Sequence, residues 1–376
     1  MPMEPLLLPE VADEESEMLD NESENVITQP FDPAKIRVET KQLSIDTLIS
    51  RMENKEITLQ PDFQRNEVWK QGARSRLIES ILIRIPLPAF YMDATDEDAW
   101  LVVDGQQRLS TLEDFVIDKS LHLKGLEFLK ELEGMTYDEL PRHYQRRIKE
   151  TNVTVYIIER GTPSNVKINI FKRINTGGLP LSLQEIRHAL NGGAVAPFLK
   201  DLADSQEFLT ATGGKISKDR MSDREYVLRF FAFILTAPKE YASQEFDSFL
   251  SDAMAQLNNL GSVEREKLAR RFLRAMTLAH EVMGEHAFRK KFTADIEERL
   301  KPVNKALFEA WAVNLDALND KQAVKLKLRK DEIWKPFAEL MNDREFDQAI
   351  SQGTGDIRKV KFRFGRLREL INQVLQ

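Results

Sequence analysis

The sequence predicts an α+β protein: a mixed α/β domain over residues 36–190, then an all-helical domain over residues 191–376. Three observations predict it. Runs that alternate like strands all lie before residue 160. Apolar spacing of three and four residues dominates the remainder. Between the two regimes, Asn191-Gly192-Gly193 interrupts the pattern.

The first 30 residues hold nine acids and no Lys or Arg; with few aromatics they cannot bury enough apolar area to offset the entropy of ordering. Residues 1–35 are therefore expected to be a disordered acidic tail, either merely solvating or covering a basic surface. From Ser44, an N-cap, Ile45, Leu48, Ile49 and Met52 fall on one helical face. Ile57–Pro61 reads as a short extended segment. Gly72–Ile85 carries a Leu77, Ile78, Ile81, Leu82 stripe and is ended by Pro86 and Pro88. Ala89–Met92 and Ala99–Val103 read as strands, Leu109–Val116 as helix, and Val153–Ile158 as the most strand-like run of the chain. Ser164–Phe171 and Leu183–Leu190 return to helix. Beyond them, Glu225–Leu235, Gln244–Leu257, Ser262–Met283, Ala294–Asp316, Lys325–Asn342 and Arg363–Leu375 read as helices, with Pro336 kinking or splitting the fifth.

Composition excludes several functions. There is no cysteine, hence no disulfide framework, no Cys-based zinc site and no cysteine nucleophile. No stretch approaches the ~20 apolar residues of a membrane span, and the N-terminus has no basic region before its short apolar run. The expectation is a cytoplasmic protein with no membrane partner. The net charge of −7 belongs to the tail: subtracting its nine acids from 61 leaves 52 against 54 bases, a body of +2.

The sharpest local signal is Trp100-Leu-Val-Val-Asp-Gly-Gln-Gln-Arg-Leu-Ser-Thr-Leu112. A strand ends at Val103, Asp104-Gly105 turns, and a helix begins. Glycine allows unusual backbone angles and close approach of a ligand. The N–H groups of a helix start attract anions, and Arg108 lies one turn in, placed to deliver a guanidinium to the same spot. Gln106 and Gln107 add neutral donors, and Ser110 and Thr111 add hydroxyls. The bland alternative is a capped helix with Arg108 in a surface ion pair. A second cluster, Leu59-Gln-Pro-Asp-Phe-Gln-Arg-Asn-Glu-Val-Trp69, sets Gln64 and Arg65 between Phe63 and Trp69, aromatics that read as core anchors. In a third, Phe171–Glu185, a helix ends near Asn175 and Gly177-Gly178 makes a compact loop. Ser182 and Glu185 then form a capping box; Asn175, Thr176 and the Gly177-Gly178 backbone could equally close over a ligand.

Pro61–Trp69, Ser75–Pro88, Val103–Leu112 and Phe171–Gly178, in that order, resemble the N-terminal domain family of GmrSD-type restriction systems. The resemblance spans about 40–190. It implies a fold similar to ParB and sulfiredoxin, a role in defence against phage DNA, and binding, often hydrolysis, of nucleoside triphosphates. By that resemblance Asp104, Gly105, Gln106, Gln107 and Arg108 line the phosphate site, Arg65 adds a second cation, and Arg173 and Asn175 form a third wall. Asp104 is the candidate to position a Mg2+-bound water or act as a weak base, with Glu185 a weaker acid. The P-loop pattern is absent, so ordinary Walker chemistry is excluded. Full-length relatives carry a His-centred nuclease half; past residue 190 this chain has only His280 and His286, without its spacing, and no complete nuclease is expected here. DNA cutting would then need a separate nuclease or other defence partner, or chemistry in the N-terminal domain.

Two basic segments bear on DNA. Residues 358–368 hold six positive residues and no acid around Phe362 and Phe364, and Arg265–Arg274 is a lesser cluster, as is Arg146–Lys149. The ordinary reading of such helices is a solvated face; the alternative is contact with DNA phosphates. The sequence thus leads to a nucleoside-triphosphate-dependent switch or NTPase, with a ParB-like nucleotide-gated DNA-binding module and an N-terminal-domain nuclease as alternatives. Homo-oligomers fit any of these.

Overall fold

A computed structural model describes residues 36–58, 69–174, 182–243, 245–294 and 299–376. They fall into two compact units, one running to Leu190 and the other covering Asn191–Gln376. The α+β class holds: strands are confined to the first unit, and the second is helical apart from one isolated bridge, Arg289–Val303.

The first unit runs β1 (Val38–Ser44), α1 (Ile45–Glu53), β2 (Ile57–Thr58), α2 (Gln71–Leu82), β3 (Phe90–Ala94), β4 (Trp100–Asp104), α3 (Gln106–Leu112), α4 (Arg142–Glu150), β5 (Asn152–Glu159), α5 (Ser164–Ile174) and α6 (Leu183–Leu190). Ser44 caps α1 by accepting from the Thr47 amide, and the expected stripe Ile45, Leu48, Ile49 and Met52 is buried. The strands form one mixed sheet in the order β1-β5-β3-β4-β2, with β3 parallel to β5 and antiparallel to β4. Each side chain's face follows from the period of two. Phe90, Met92, Val102, Val155 and Ile157 pack with α1, α2 and α3. On the opposite face, Val103 and Ile158 pack with Ile168 and Phe171 of α5 and Ile186 of α6.

One irregularity matters for the site. Tyr91 pairs with Asp104 but Met92 with Val102, so Val103 is an extra residue. Such a bulge re-aims the residues beyond it, and Asp104 becomes the cross-strand neighbour of Tyr91.

The second unit continues with α7 (Val195–Ala203), α8 (Gln206–Thr212), α9 (Ser222–Leu235), α10 (Phe246–Asn259), α11 (Ser262–Met283), α12 (Lys305–Asp316), α13 (Asp320–Leu328), α14 (Trp334–Met341), α15 (Arg344–Ser351) and α16 (Ile357–Leu375). Its core gathers Phe208, Phe230, Phe231, Phe272, Phe308 and Trp311. A charge network lies inside it: Glu309, fully buried, accepts from Arg229 at 3.3 Å and from the equally buried Arg363, while Arg229 also meets Glu225 at 2.8 Å.

Several sequence expectations need correction. The helix expected from Ala294 begins at Lys305: Asn304 caps it through the Leu307 amide, and Val303 before it bridges to Arg289 instead. The helix expected over Lys325–Asn342 is two helices separated at Arg329 and a 3₁₀ turn. Pro336 does not cause the break; it sits in the first turn of α14, where its missing N–H has no helical partner to lose. The last helix starts six residues early, at Ile357, because Asp356 caps it through the amides of Arg358 and Lys359. The acidic tail lies outside the described residues.

Candidate functional site

Gly105 stands at φ +100°, where only glycine is unstrained, and a Cβ there would come within 2.5 Å of Phe90 Cδ1. The strand-to-helix turn is therefore possible only because of this residue. Helix α3 starts with no side-chain cap and is α-helical for only seven residues before a π-helical turn over Glu113–Ile117. A helix so short has little dipole to offer an anion by itself.

Arg108 turns inward and is only 7% exposed. Its Nη2 donates to Asp104 Oδ2 at 2.8 Å and to the Ala89 carbonyl at 3.1 Å, and its Nη1 donates to the Pro88 carbonyl. The guanidinium also lies over the Phe90 ring, 4.4 Å from its centroid. Burial lowers its pKa, and the Asp104 carboxylate opposes that shift. Both terminal nitrogens are thus committed to holding the turn against the start of β3. The guanidinium expected from the sequence to face a ligand is a clamp in this structure.

Asp104 keeps its carboxylate about a third exposed, at 34%. Beside it, Tyr91 stacks on Tyr156 with centroids 4.8 Å apart and planes 21° from parallel. Burial raises the Tyr91 pKa, and the nearby Tyr156 and Asp104 add to the rise. Neither tyrosine emerged from the sequence as a site residue. The signal was present: both occupy alternate positions in strand-like runs, on the face opposite the larger core.

The other expected residues separate. Gln107 Oε1 accepts from the Trp69 amide at 3.2 Å, which brings the end of the second sequence cluster to the turn. Trp69 itself is 37% exposed, so it is not the core anchor expected. Gln106 and Ser110 are half-buried. Thr111 is buried and its hydroxyl donates to the Gln107 carbonyl at 2.7 Å, a bond internal to the helix. Arg173 is exposed in the last turn of α5. Gln64, Arg65, Asn175, Thr176, Gly177 and Gly178 lie outside the described residues. Glu185 and Ser182 form the capping box reciprocally, the Ser182 amide reaching Glu185 Oε2 at 2.6 Å and the Glu185 amide reaching Ser182 Oγ at 3.1 Å. Its carboxylate is thereby used structurally.

Two buried polar features of this unit also escaped the sequence. Lys167 of α5 donates to Asp93 Oδ2 at 2.8 Å and to the Thr95 hydroxyl, pinning α5 to the end of β3. Arg187 and Gln184 of α6 are buried together, 2.9 Å apart.

Among the described residues no group of three or more His, Asp or Glu could hold a metal ion. A metal caged by protein ligands alone therefore does not fit here. One accessible carboxylate does fit Mg2+ that arrives with phosphate and keeps most of its other ligands as water and phosphate oxygen.

The basic segments prove to be largely engaged. Arg265 donates to carbonyls at the end of α10, Arg270 meets Glu266, Arg271 grips Asp316 at 2.6 Å, and Arg274 binds the Leu318 carbonyl and Asp320. In α16, Arg363 and Phe364 are core residues, whereas Arg358, Lys361 and Arg368 are exposed. No helix among the described residues is long and apolar enough to cross a membrane.

No curated protein matches the chain. Residues 45–191 match the family described as the GmrSD restriction endonuclease, N-terminal domain, and this span contains β2 to β5, the Asp104–Arg108 turn and the Tyr91–Tyr156 pair. Over residues 45–191 the chain is thus similar to the N-terminal domain of the GmrSD restriction endonuclease, a likeness that points to a restriction or phage-defence system.

Proposed function

We propose that the mixed α/β unit binds a nucleoside triphosphate with Mg2+ at the 104–108 turn and hydrolyses it in the service of DNA restriction. The observation that carries this reading is the Asp104 carboxylate, held by Arg108 through one oxygen at 2.8 Å yet about a third exposed at a strand end. Triphosphate hydrolysis asks chiefly for positioning and charge neutralisation, and a fixed carboxylate meets the first need. Arg108 acts through Asp104 and the turn, by keeping both in place. Arg173, exposed at the end of α5, would offer a cation to the phosphates, and the family resemblance gives Arg65 the same part. Mg2+ bound with the nucleotide supplies the remaining neutralisation of phosphate charge. Asp104 would help hold that ion, or orient water by accepting its hydrogen bond. As the water oxygen bonds to the terminal phosphorus, the bridging P–O bond breaks, and the water's proton leaves to the carboxylate or to solvent.

The exposed Arg358, Lys361 and Arg368 on α16 favour a second reading, in which nucleotide gates contact with DNA and is not consumed. A separate nuclease or defence protein would then do the cutting.

Calorimetry of each nucleoside triphosphate with Mg2+, on wild type and Asp104→Asn, tests the site. Phosphate release then separates turnover from gating. The expected result is binding by wild type, with Asp104→Asn retaining the fold and losing turnover. Absence of binding to folded wild type at millimolar nucleotide overturns both readings.

A further inference from the structure

The sheet face that α5 and α6 bury at Val103 and Ile158 continues past them as a polar and aromatic floor. Strand pairing puts four residues in one row across it. Thr40 pairs with Tyr156, Tyr156 with Tyr91, and Tyr91 with Asp104. Neighbouring strands lie ~4.8 Å apart, so the row covers about 14 Å from Thr40 to the Asp104 carboxylate. Thr154, two positions from Tyr156 and on the same face, accepts from Gln42 at 2.8 Å and is half-exposed, as are both tyrosines. Among the described residues neither tyrosine hydroxyl has a hydrogen-bond partner.

One feature sets this row apart from ordinary core. The half-exposed rings are stacked almost flat on one another, so Tyr91 occupies one side of Tyr156 and Thr40 is the neighbour in the row on its other side. Threonine is small enough to leave room above it. An aromatic face beside a carboxylate at this spacing suits a flat heterocycle joined to a polyphosphate.

We propose that Tyr156, braced by Tyr91, stacks the nucleobase of the triphosphate held at the 104–108 turn. This rests on the reading of that turn as the phosphate site. Stacking accepts any base because every base has a π-face, and it strengthens with ring area. The site is therefore a purine-favouring, base-tolerant one, and the Tyr91 hydroxyl is available to the sugar or phosphate beside Asp104.

The test is calorimetry on the full chain with Mg2+, comparing ATP, GTP, CTP and UTP with inorganic tripolyphosphate. Wild type binds the purine nucleotides tightest and tripolyphosphate weakest. Tyr156→Leu weakens nucleotide binding roughly 10- to 100-fold and leaves tripolyphosphate unchanged, the retained tripolyphosphate affinity certifying the fold. Tyr156→Phe keeps the ring and keeps the affinity. Equal affinity for nucleotides and tripolyphosphate in wild type overturns the stacking proposal and leaves the phosphate site standing. So does loss of nucleotide affinity in Tyr156→Phe with tripolyphosphate binding intact, since the hydroxyl and not the ring would then be the contact. If neither ligand binds folded wild type, the phosphate site itself is wrong and the stacking proposal falls with it.

Discussion

Replacing Arg108 with alanine tests whether this residue is a clamp or a ligand-facing charge. The substitution removes three hydrogen bonds from a charged group, to Asp104, Ala89 and Pro88, and the contact with the Phe90 ring. Hydrogen bonds of charged groups contribute about 1.5–3 kcal/mol each, and a partly desolvated cation over a ring about 0.5–2. Desolvation of the guanidinium, which the variant no longer bears, offsets much of that sum. Breaking a buried pair by removing one partner costs about 3–5 kcal/mol net. Asp104 is a third exposed and can rehydrate, which places the expectation near the lower end, about 3 kcal/mol. With a urea slope of about 2 kcal/mol per molar, the midpoint falls by roughly 1.5 M. Hydrogen–deuterium exchange along a urea series, on peptides from each unit, should show the loss in the unit ending at Leu190 and leave the helical unit unmoved. A loss under ~0.5 kcal/mol, the range of a surface substitution, would refute the clamp. It follows that failure of Arg108→Ala to bind nucleotide does not by itself identify a ligand contact. Asp104→Asn and Tyr156→Leu are the more informative variants.

Two further predictions concern other buried charges. Glu309→Gln leaves Arg229 and Arg363 short of their shared carboxylate and should destabilise the helical unit by about 3–5 kcal/mol. Replacing Arg229, Glu309 and Arg363 together by apolar residues of similar size should recover most of that loss in a denaturant titration, and failure to do so would mean the network does more than satisfy itself. Glu79 is buried, which alone raises its pKa, but amides of Glu127, Phe128 and Leu129 at 2.7–2.9 Å outweigh burial and hold it below the usual range. A carboxyl depressed by folding contributes stability that is present above its unfolded pKa and is lost as pH falls through the folded one. Exchange protection of those three amides should therefore drop below about pH 4, and Glu79→Gln should remove the dependence.

What the sequence disclosed follows from how local each signal is. Strand β5 was legible because Val153, Val155 and Ile157 alternate within eight residues, and the Ser182–Glu185 box because its partners are three apart. Strand β1, Val-Glu-Thr-Lys-Gln-Leu-Ser, was missed: it is an edge strand whose side chains are mostly solvated, so no apolar period marks it. Helix α4 was missed because only Ile148 of its nine residues is buried. For the site, the Asp104–Gly105 turn was readable from composition, but the direction of Arg108 was not. Its carbonyl partners lie about twenty residues back, at Pro88 and Ala89, and nothing in the local pattern points to them. Arg363 was counted as surface charge for the same reason, since its carboxylate partner is 54 residues away.

Strand β1 has a practical consequence for anyone trimming this chain. It pairs with β5 from Val38 to Ser44, whereas the family match starts at Ile45. A polypeptide cut to the matched span would lose that whole strand. The backbone donors and acceptors of β5 that β1 occupies would be bared along a segment rich in Val and Ile, the kind of open border that recruits other chains into intermolecular sheets. Glu39 and Lys41, 2.9 Å apart on β1, are the charges that guard the border in the intact protein. Solubility of the isolated domain thus depends on residues just outside the region by which it is recognised.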